Sequence, residues 1–461
     1  MQNTKSNFFC SRRFFVFVFV GIYFHFSSAR DISTKKLQSQ GKLKVSAESC
    51  IQAESRLGQL LYVNVDGWGA NGRSIHPGYI KMVNDLQIGG VLPHSANSDY
   101  KTQKSDFQAL QAATELPLMI GVDYLALTTD GRTGAKFGMG FGSGFLHSAG
   151  YAPPECLTAL SYMEGFLHKA SGLNHALGPT IERNRNHGFL ERQASAVAPA
   201  VERTVNELTN NGIASTMKHF PYTPENYNLH SKSEDTRVPA DKVYEMLEIF
   251  KRTANKTSFA MSTHLYNSNI DPDDMATFSK KWVDILRKDM GFQGILMTDA
   301  LFMFKQYGET VRQMSSKWPQ DQIKVADMYT IFAARSILSG HDMIFLEGDS
   351  ASTYKIFDSL MSIACDDKPV SQELRQRIDE SYQRISKWKN QNNKSLKQSL
   401  DIPESLVSEA IQLRATVKDV SSCNKLIAFQ KKTKDLGVFP IEKIIATGAP
   451  PNATDPYYRR R

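Results

Sequence analysis

Along residues 56–390, short apolar runs alternate with longer stretches whose apolar positions recur every three or four residues. The short runs suit buried strands, and the longer pattern suits helices with one apolar face. Eight runs read as strands: 60–65, 90–92, 118–122, 174–178, 214–218, 259–262, 295–298 and 342–346. A strand followed by a helix, repeated eight times, predicts an α/β fold of the (β/α)8 TIM-type barrel kind. A closing helix falls at 370–389, where Leu374, Ile378, Tyr382 and Ile385 share a face. An open doubly wound sheet would use the same elements, but no Gly-rich phosphate fingerprint follows the first strand. The barrel domain is placed at 50–390. Residues 391–461 read as a short, mostly helical C-terminal extension with an irregular basic end, because Pro403, Gly437, Pro440 and Gly448-Ala449-Pro450-Pro451 interrupt any longer pattern.

The residues that follow the predicted strands are polar: Asp66, Asp123, Lys218, His219, His264, Asp299 and Glu347. A barrel brings all its strand ends to one rim, where reacting groups gather. Asp299 closes the run Ile295-Leu296-Met297-Thr298. A carboxylate in that position is held rigidly, although Asp there also suits helix capping. Lys218 and His219 end the run that begins at Ile213, just before Phe220-Pro221. Successive strand residues point to opposite faces, so both reach one ligand only where the chain bends, and Pro221 offers such a place. The stretch 125–151 carries Gly138, Gly140, Gly142 and Gly144 without the spacing of a phosphate-binding loop, and it reads as a rim loop.

Composition narrows the partners. The chain has 461 residues, 41% of them hydrophobic, and a formal charge of +8. That excess is dispersed apart from Arg459-Arg460-Arg461, so nucleic acid is not an expected partner, and an acidic polymer or anionic envelope fits equally well. Residues 1–29 have the three parts of an export signal peptide: Lys5, Arg12 and Arg13, the apolar run 14–26, and Ser27-Ser28-Ala29. The protein is therefore expected to be exported, periplasmic or secreted, without stable membrane insertion after cleavage. Removal of Cys10 with the signal would leave Cys50, Cys156, Cys365 and Cys423, whose pairing the sequence does not fix. No CxxC spacing points to a metal site. Nothing in the pattern specifies an oligomer, and a monomer is the expectation.

Several motifs then fall into one order. Lys218-His219-Phe220-Pro221 ends one strand, Met261-Ser262-Thr263-His264 ends another, and Gly291-Phe292-Gln293-Gly294 leads through Thr298-Asp299 to Leu301 and Met303. Ile270-Asp271-Pro272, Ala276-Thr277-Phe278-Ser279 and Leu286-Arg287 lie between them, with Leu57-Gly58-Gln59-Leu60-Leu61, Ile88-Gly89-Gly90-Val91 and Ser339-Gly340-His341-Asp342-Met343 toward the two ends. Together they resemble glycoside hydrolase family 3, most closely its single-barrel β-N-acetylglucosaminidase branch, over roughly residues 55–390. The resemblance implies a retaining glycosidase with Asp299 as nucleophile and His230 as acid/base. It also implies that Asp123, Lys218, His219 and one of Arg185 and Arg192 bind an oligosaccharide or cell-wall saccharide, with neither cofactor nor metal.

Two departures stand out. The family's acid/base loop carries Gly-His-Gly and an Asp before the His, whereas this chain reads Pro221-Tyr222-Thr223-Pro224-Glu225-Asn226-Tyr227-Asn228-Leu229-His230. An Asn can orient an imidazole but cannot stabilise its cation by charge, and Glu225 and Glu234 are nearby carboxylates that could substitute. After the third strand the family's Asp-x-Glu-Gly-Gly-x-Val-x-Arg is replaced by Asp123-Tyr124-Leu125-Ala126-Leu127. Three alternatives stay open. One is a saccharide-binding relative without catalysis. Another is a Schiff-base enzyme in which Lys218 attacks a carbonyl. The last is a zinc hydrolase built on His219, His264 and Asp299.

Overall fold

The computed structural model describes residues 46–65, 75–93, 100–125, 128–129, 153–181, 194–224, 234–306, 328–398, 400–416, 423–438 and 443–446. Its strands are β1 (Leu61–Asn64), β2 (Gly90–Leu92), β3 (Met119–Leu125), β4 (Thr128–Thr129), β5 (His175–Leu177), β6 (Ala214–Phe220), β7 (Phe259–Ser262), β8 (Ile295–Thr298) and β9 (Ile344–Leu346). They form one sheet in the order β8-β7-β6-β5-β3-β2-β1-β9, with the short β4 antiparallel to β3 and off this path. All other ladders are parallel, and a bridge between Met297 and Met343 brings β8 to the segment that enters β9. The result is a (β/α)8 barrel, and every predicted run has become a strand. Residues of β1, β2, β5, β7, β8 and β9 are buried throughout. That explains why the runs are continuously apolar rather than alternating: helices cover the outer face and side chains fill the inner one.

The interior is packed by aromatic rings, most of which meet edge to face. Tyr62 lies 5.6 Å from both His175 and Phe345, and Phe259 lies 4.5 Å from His175. Trp388, from the closing helix, caps this group at 5.0 Å from Phe259. Tyr62 has room only because the next two strands carry glycine at its level. A Cβ on Gly121 would stand 1.9 Å from Tyr62 Oη, and one on Gly90 would stand 2.2 Å from its Cδ2. Burial holds His175 down at about 3, with the Lys389 ammonium acting in the same direction, so the ring is a neutral packing element. Its Nε2 meets Thr216 Oγ1 at 2.7 Å.

The helices run outside in the expected order: α1 (Ala47–Leu57), α2 (Pro77–Leu86), α3 (Tyr100–Ala112), α4 (Pro154–Ala170), α5 (Ala194–Asn210), α6 (Ala240–Thr253), α7 (Lys280–Asp284), α8 (Met328–Ser339), α9 (Ser350–Ala364) and α10 (Pro369–Gln391). In α10, Leu374, Ile378 and Ile385 are buried. The helix is locked to the barrel by the buried carboxylate of Asp342, which accepts from Arg287 at 2.6 Å, from Leu296 N at 2.9 Å and from Ser381 Oγ at 3.2 Å, and also pairs with Arg384. Burial pushes this carboxyl up, but Arg287, Arg384 and Arg377 outweigh it and hold the group below the ordinary carboxylate range.

The pairing of cysteines that the sequence left open is Cys50 with Cys365, which ties α1 to the end of α9 with Cα atoms 5.5 Å apart. After α10 come α11 (Asn393–Lys397), α12 (Glu404–Thr416) and α13 (Cys423–Asp435). Leu406, Val407, Ala410, Leu426 and Phe429 from α12 and α13 share a core with Leu157, Leu160 and Phe166 of α4. The extension therefore packs against the barrel's outer layer. Among the described residues, no helix is long and apolar enough to cross a membrane.

Candidate active site

Asp299 follows β8 directly. Its backbone N–H donates to Ser262 O at 2.9 Å, and its Oδ1 accepts from the N–H of Ala300 at 2.8 Å. The first bond belongs to the frame of the sheet, so among the described residues backbone groups orient the carboxylate. Its other oxygen, Oδ2, lies 3.8 Å from His219 Nε2, and both side chains are 13% exposed. Burial alone would raise the Asp299 carboxyl. The neighbouring rings of His219 and His264, the Ala300 N–H and the Lys218 ammonium outweigh burial and hold it below its ordinary range. The carboxylate is thus ionised at neutral pH.

Lys218 and His219 come from the end of β6. The pairing register with β7 shifts between Lys218 and Phe220, so the strict alternation of the strand fails where the sequence called for a bend. Lys218 Nζ donates to Asp123 Oδ1, which lies on β3. The lysine side chain is only 4% exposed, whereas Asp123 is 27% exposed. Four of the predicted site residues, Asp123, Lys218, His219 and Asp299, therefore meet on one rim. His230, Arg185 and Arg192 lie outside the described residues, as do Asn228, Glu225 and Asp66. Glu234 is described and exposed.

His264 departs from the rim pattern. It is 1% exposed, with Nδ1 at 2.7 Å from Thr277 Oγ1 and Nε2 at 3.0 Å from Ala300 O. Both ring nitrogens face these protein partners, so the zinc arrangement of His219, His264 and Asp299 does not form. Among the described residues, no group of three or more His, Cys, Asp and Glu side chains is placed to hold a metal ion. The Schiff-base alternative needs an unengaged amine, and Lys218 is ion-paired with Asp123. Sequence reasoning missed the support behind Asp299, namely Thr277 and the Ala300 peptide. The quoted motifs containing His264 and Thr277 were its only signal.

A buried, ionised carboxylate beside a lysine and a histidine, at the C-terminal rim of a barrel, is the equipment of an enzyme that attacks an electrophilic carbon and holds a polyhydroxylated ligand. The glycosyl hydrolase family 3 N-terminal domain pattern matches residues 52–387, and the chain belongs to that family of glycosidases. A β-hexosaminidase of Xanthomonas oryzae pv. oryzae is 25% identical over 234 residues, covering 47% of this chain and 68% of the relative. A β-hexosaminidase of Tolumonas auensis is 24% identical over 329 residues, covering 67% of this chain and 90% of the relative. The crystal structure of a β-N-acetylhexosaminidase from Beutenbergia cavernae superposes with a TM-score of 0.58 at 20% identity, covering 76% of this chain and 99% of that one.

Proposed function

We propose that this chain is a retaining glycosidase. It would remove terminal β-linked N-acetylhexosamine, or β-glucose, from envelope or chitin-like saccharides through a glycosyl-aspartate on Asp299. The observation that carries the reading is the Asp299 carboxylate, fixed by backbone bonds and held below its ordinary range by His219, His264, the Ala300 N–H and Lys218. A nucleophile must be held still against the anomeric carbon, and the backbone bonds to Asp299 support that role. A carboxylate oxygen of Asp299 forms the new bond as the glycosidic C–O bond breaks. The departing oxygen takes a proton from His230, the acid/base by its position in the sequence. Water then attacks the anomeric carbon, gives a proton back to His230 and releases Asp299.

Lys218 and His219 donate hydrogen bonds to sugar hydroxyls, and Asp123 accepts one while orienting Lys218. Arg185 or Arg192 completes the sugar contacts. The chain works outside the cytoplasm, a reading supported by the signal-like residues 1–29 and by the bridge between Cys50 and Cys365. Fractionation that left the chain in the cytoplasm, with Cys50 and Cys365 reduced by mass measurement, would count against it.

The test is release of p-nitrophenol from β-N-acetylglucosaminide and β-glucoside by the wild type and by Asp299→Asn. The variant should lose roughly three orders of magnitude or more in kcat. Equal rates in the two proteins would remove Asp299 from the chemistry. Saccharide binding without turnover by the wild type would leave a binding protein.

A further inference from the structure

The Asp299 carboxylate is held by the N–H of Ala300, and the same peptide unit's neighbour, Ala300 O, is held from behind by His264. A carbonyl oxygen only accepts, so Nε2 of His264 carries a hydrogen and donates it to Ala300 O at 3.0 Å. The ring is fixed at its other end by Thr277 Oγ1 at 2.7 Å from Nδ1, and Thr277 in turn reaches Thr263 O at 3.1 Å. An aromatic layer closes the remaining face. Phe304 lies 4.2 Å from the imidazole, and Phe278 stacks on Phe304 at 5.1 Å. A chain of bonds therefore runs from the backbone of Thr263, through Thr277 and His264, to the residue whose amide grips the nucleophile.

We propose that His264 is the positioning residue of Asp299: buried beneath the site, it fixes the Asp299–Ala300 backbone and so sets the angle at which the carboxylate meets the anomeric carbon. This rests on the reading of Asp299 as the nucleophile. His264 is 1% exposed and bonded at both ring nitrogens, so its effect reaches the substrate through Asp299. A displacement of about 1 Å in a reacting group can cost on the order of a hundredfold in rate.

The test uses the full chain with His264→Leu, which removes the donor, and His264→Gln, whose amide nitrogen can still reach Ala300 O. Thr277→Val, which releases the ring without removing it, serves where His264→Leu fails to fold. The Leu variant is expected to lose about a hundredfold in kcat with KM changed less than about threefold, and the Gln variant to recover at least about tenfold of that loss. In parallel, amide exchange at Ala300 should speed up in the Leu variant and return toward wild type in the Gln variant, with exchange in β8 unchanged. A folded Leu variant with kcat within about threefold of wild type overturns the proposal, as does a Gln variant no better than Leu. If the wild type itself does not turn over, the glycosidase reading fails. Ala300 exchange then decides alone: unchanged exchange in the Leu variant overturns the positioning role, and faster exchange rescued by Gln supports it.

Discussion

At the residue scale, the chemistry depends on how Asp299 is kept charged in a buried setting. Burial pushes its carboxyl up, and His219 is the largest of the influences that pull it down. As the proposed nucleophile, Asp299 must be ionised to attack, so kcat/KM is expected to fall as pH drops through the pKa of the free enzyme's carboxyl. In the native site that limb lies below the ordinary carboxylate pKa of about 3.9. Replacing His219 with Asn leaves burial less opposed, and the acid limb of kcat/KM should move to higher pH. A pH–rate profile checks this, and an unmoved limb would show that His219 does not act on Asp299 electrostatically. The residue types at this rim were legible because each stands at the end of an apolar run. The companions of Asp299 were less legible. Thr277 and the Ala300 peptide act through a threonine hydroxyl and backbone atoms, and the motif that contains Thr277 gives it no role.

At the element scale, the strands were legible almost to the residue at 90–92, 259–262 and 295–298, because continuous apolar runs bounded by polar residues leave little choice of register. The ends of β3 and β6 were misjudged. Each continues past the predicted run, β3 through Asp123 to Leu125 and β6 through His219 to Phe220, because backbone pairing there outlasts hydrophobic content. Strand glycines also carry meaning at this scale. Gly121→Ala places a methyl against Tyr62 Oη and should destabilise the fold by about 1–3 kcal/mol, read as a lower denaturant midpoint. Adding Tyr62→Phe removes the clashing oxygen, so the double variant should lose less than the two single losses combined. Additive losses would mean that Tyr62 Oη does not set the requirement for glycine.

At the scale of the whole molecule, the barrel is closed by α10, and that helix is attached through Asp342 and its arginines. This closure was only half visible in the sequence. The apolar face of the helix could be read, but the buried ion cluster joins residues far apart in the chain. The Cys50–Cys365 bridge, with its separation of 315 residues, was hidden for the same reason. Breaking a buried, hydrogen-bonded ion pair costs about 3–5 kcal/mol, so Asp342→Asn should lower stability by that order at neutral pH. The pH dependence has a definite sign. The folded carboxyl is depressed below its unfolded value of about 3.9, so its contribution is complete above that pH and fades as pH falls through the folded value. Urea unfolding at neutral and at strongly acidic pH should therefore show a wide gap between variant and wild type that narrows in acid. A gap independent of pH would mean the loss comes from packing alone.

As the proposed nucleophile, Asp299 is expected to bond covalently to the sugar during turnover, and that bond can be caught. Incubation with a fluorinated glycoside, whose intermediate breaks down slowly, is followed by acid quench, peptic digestion and mass spectrometry. One added glycosyl mass per chain is expected, carried by the peptide that contains Asp299 and absent from Asp299→Asn. A turning-over enzyme that carries no adduct, or carries it on a peptide without Asp299, would contradict it.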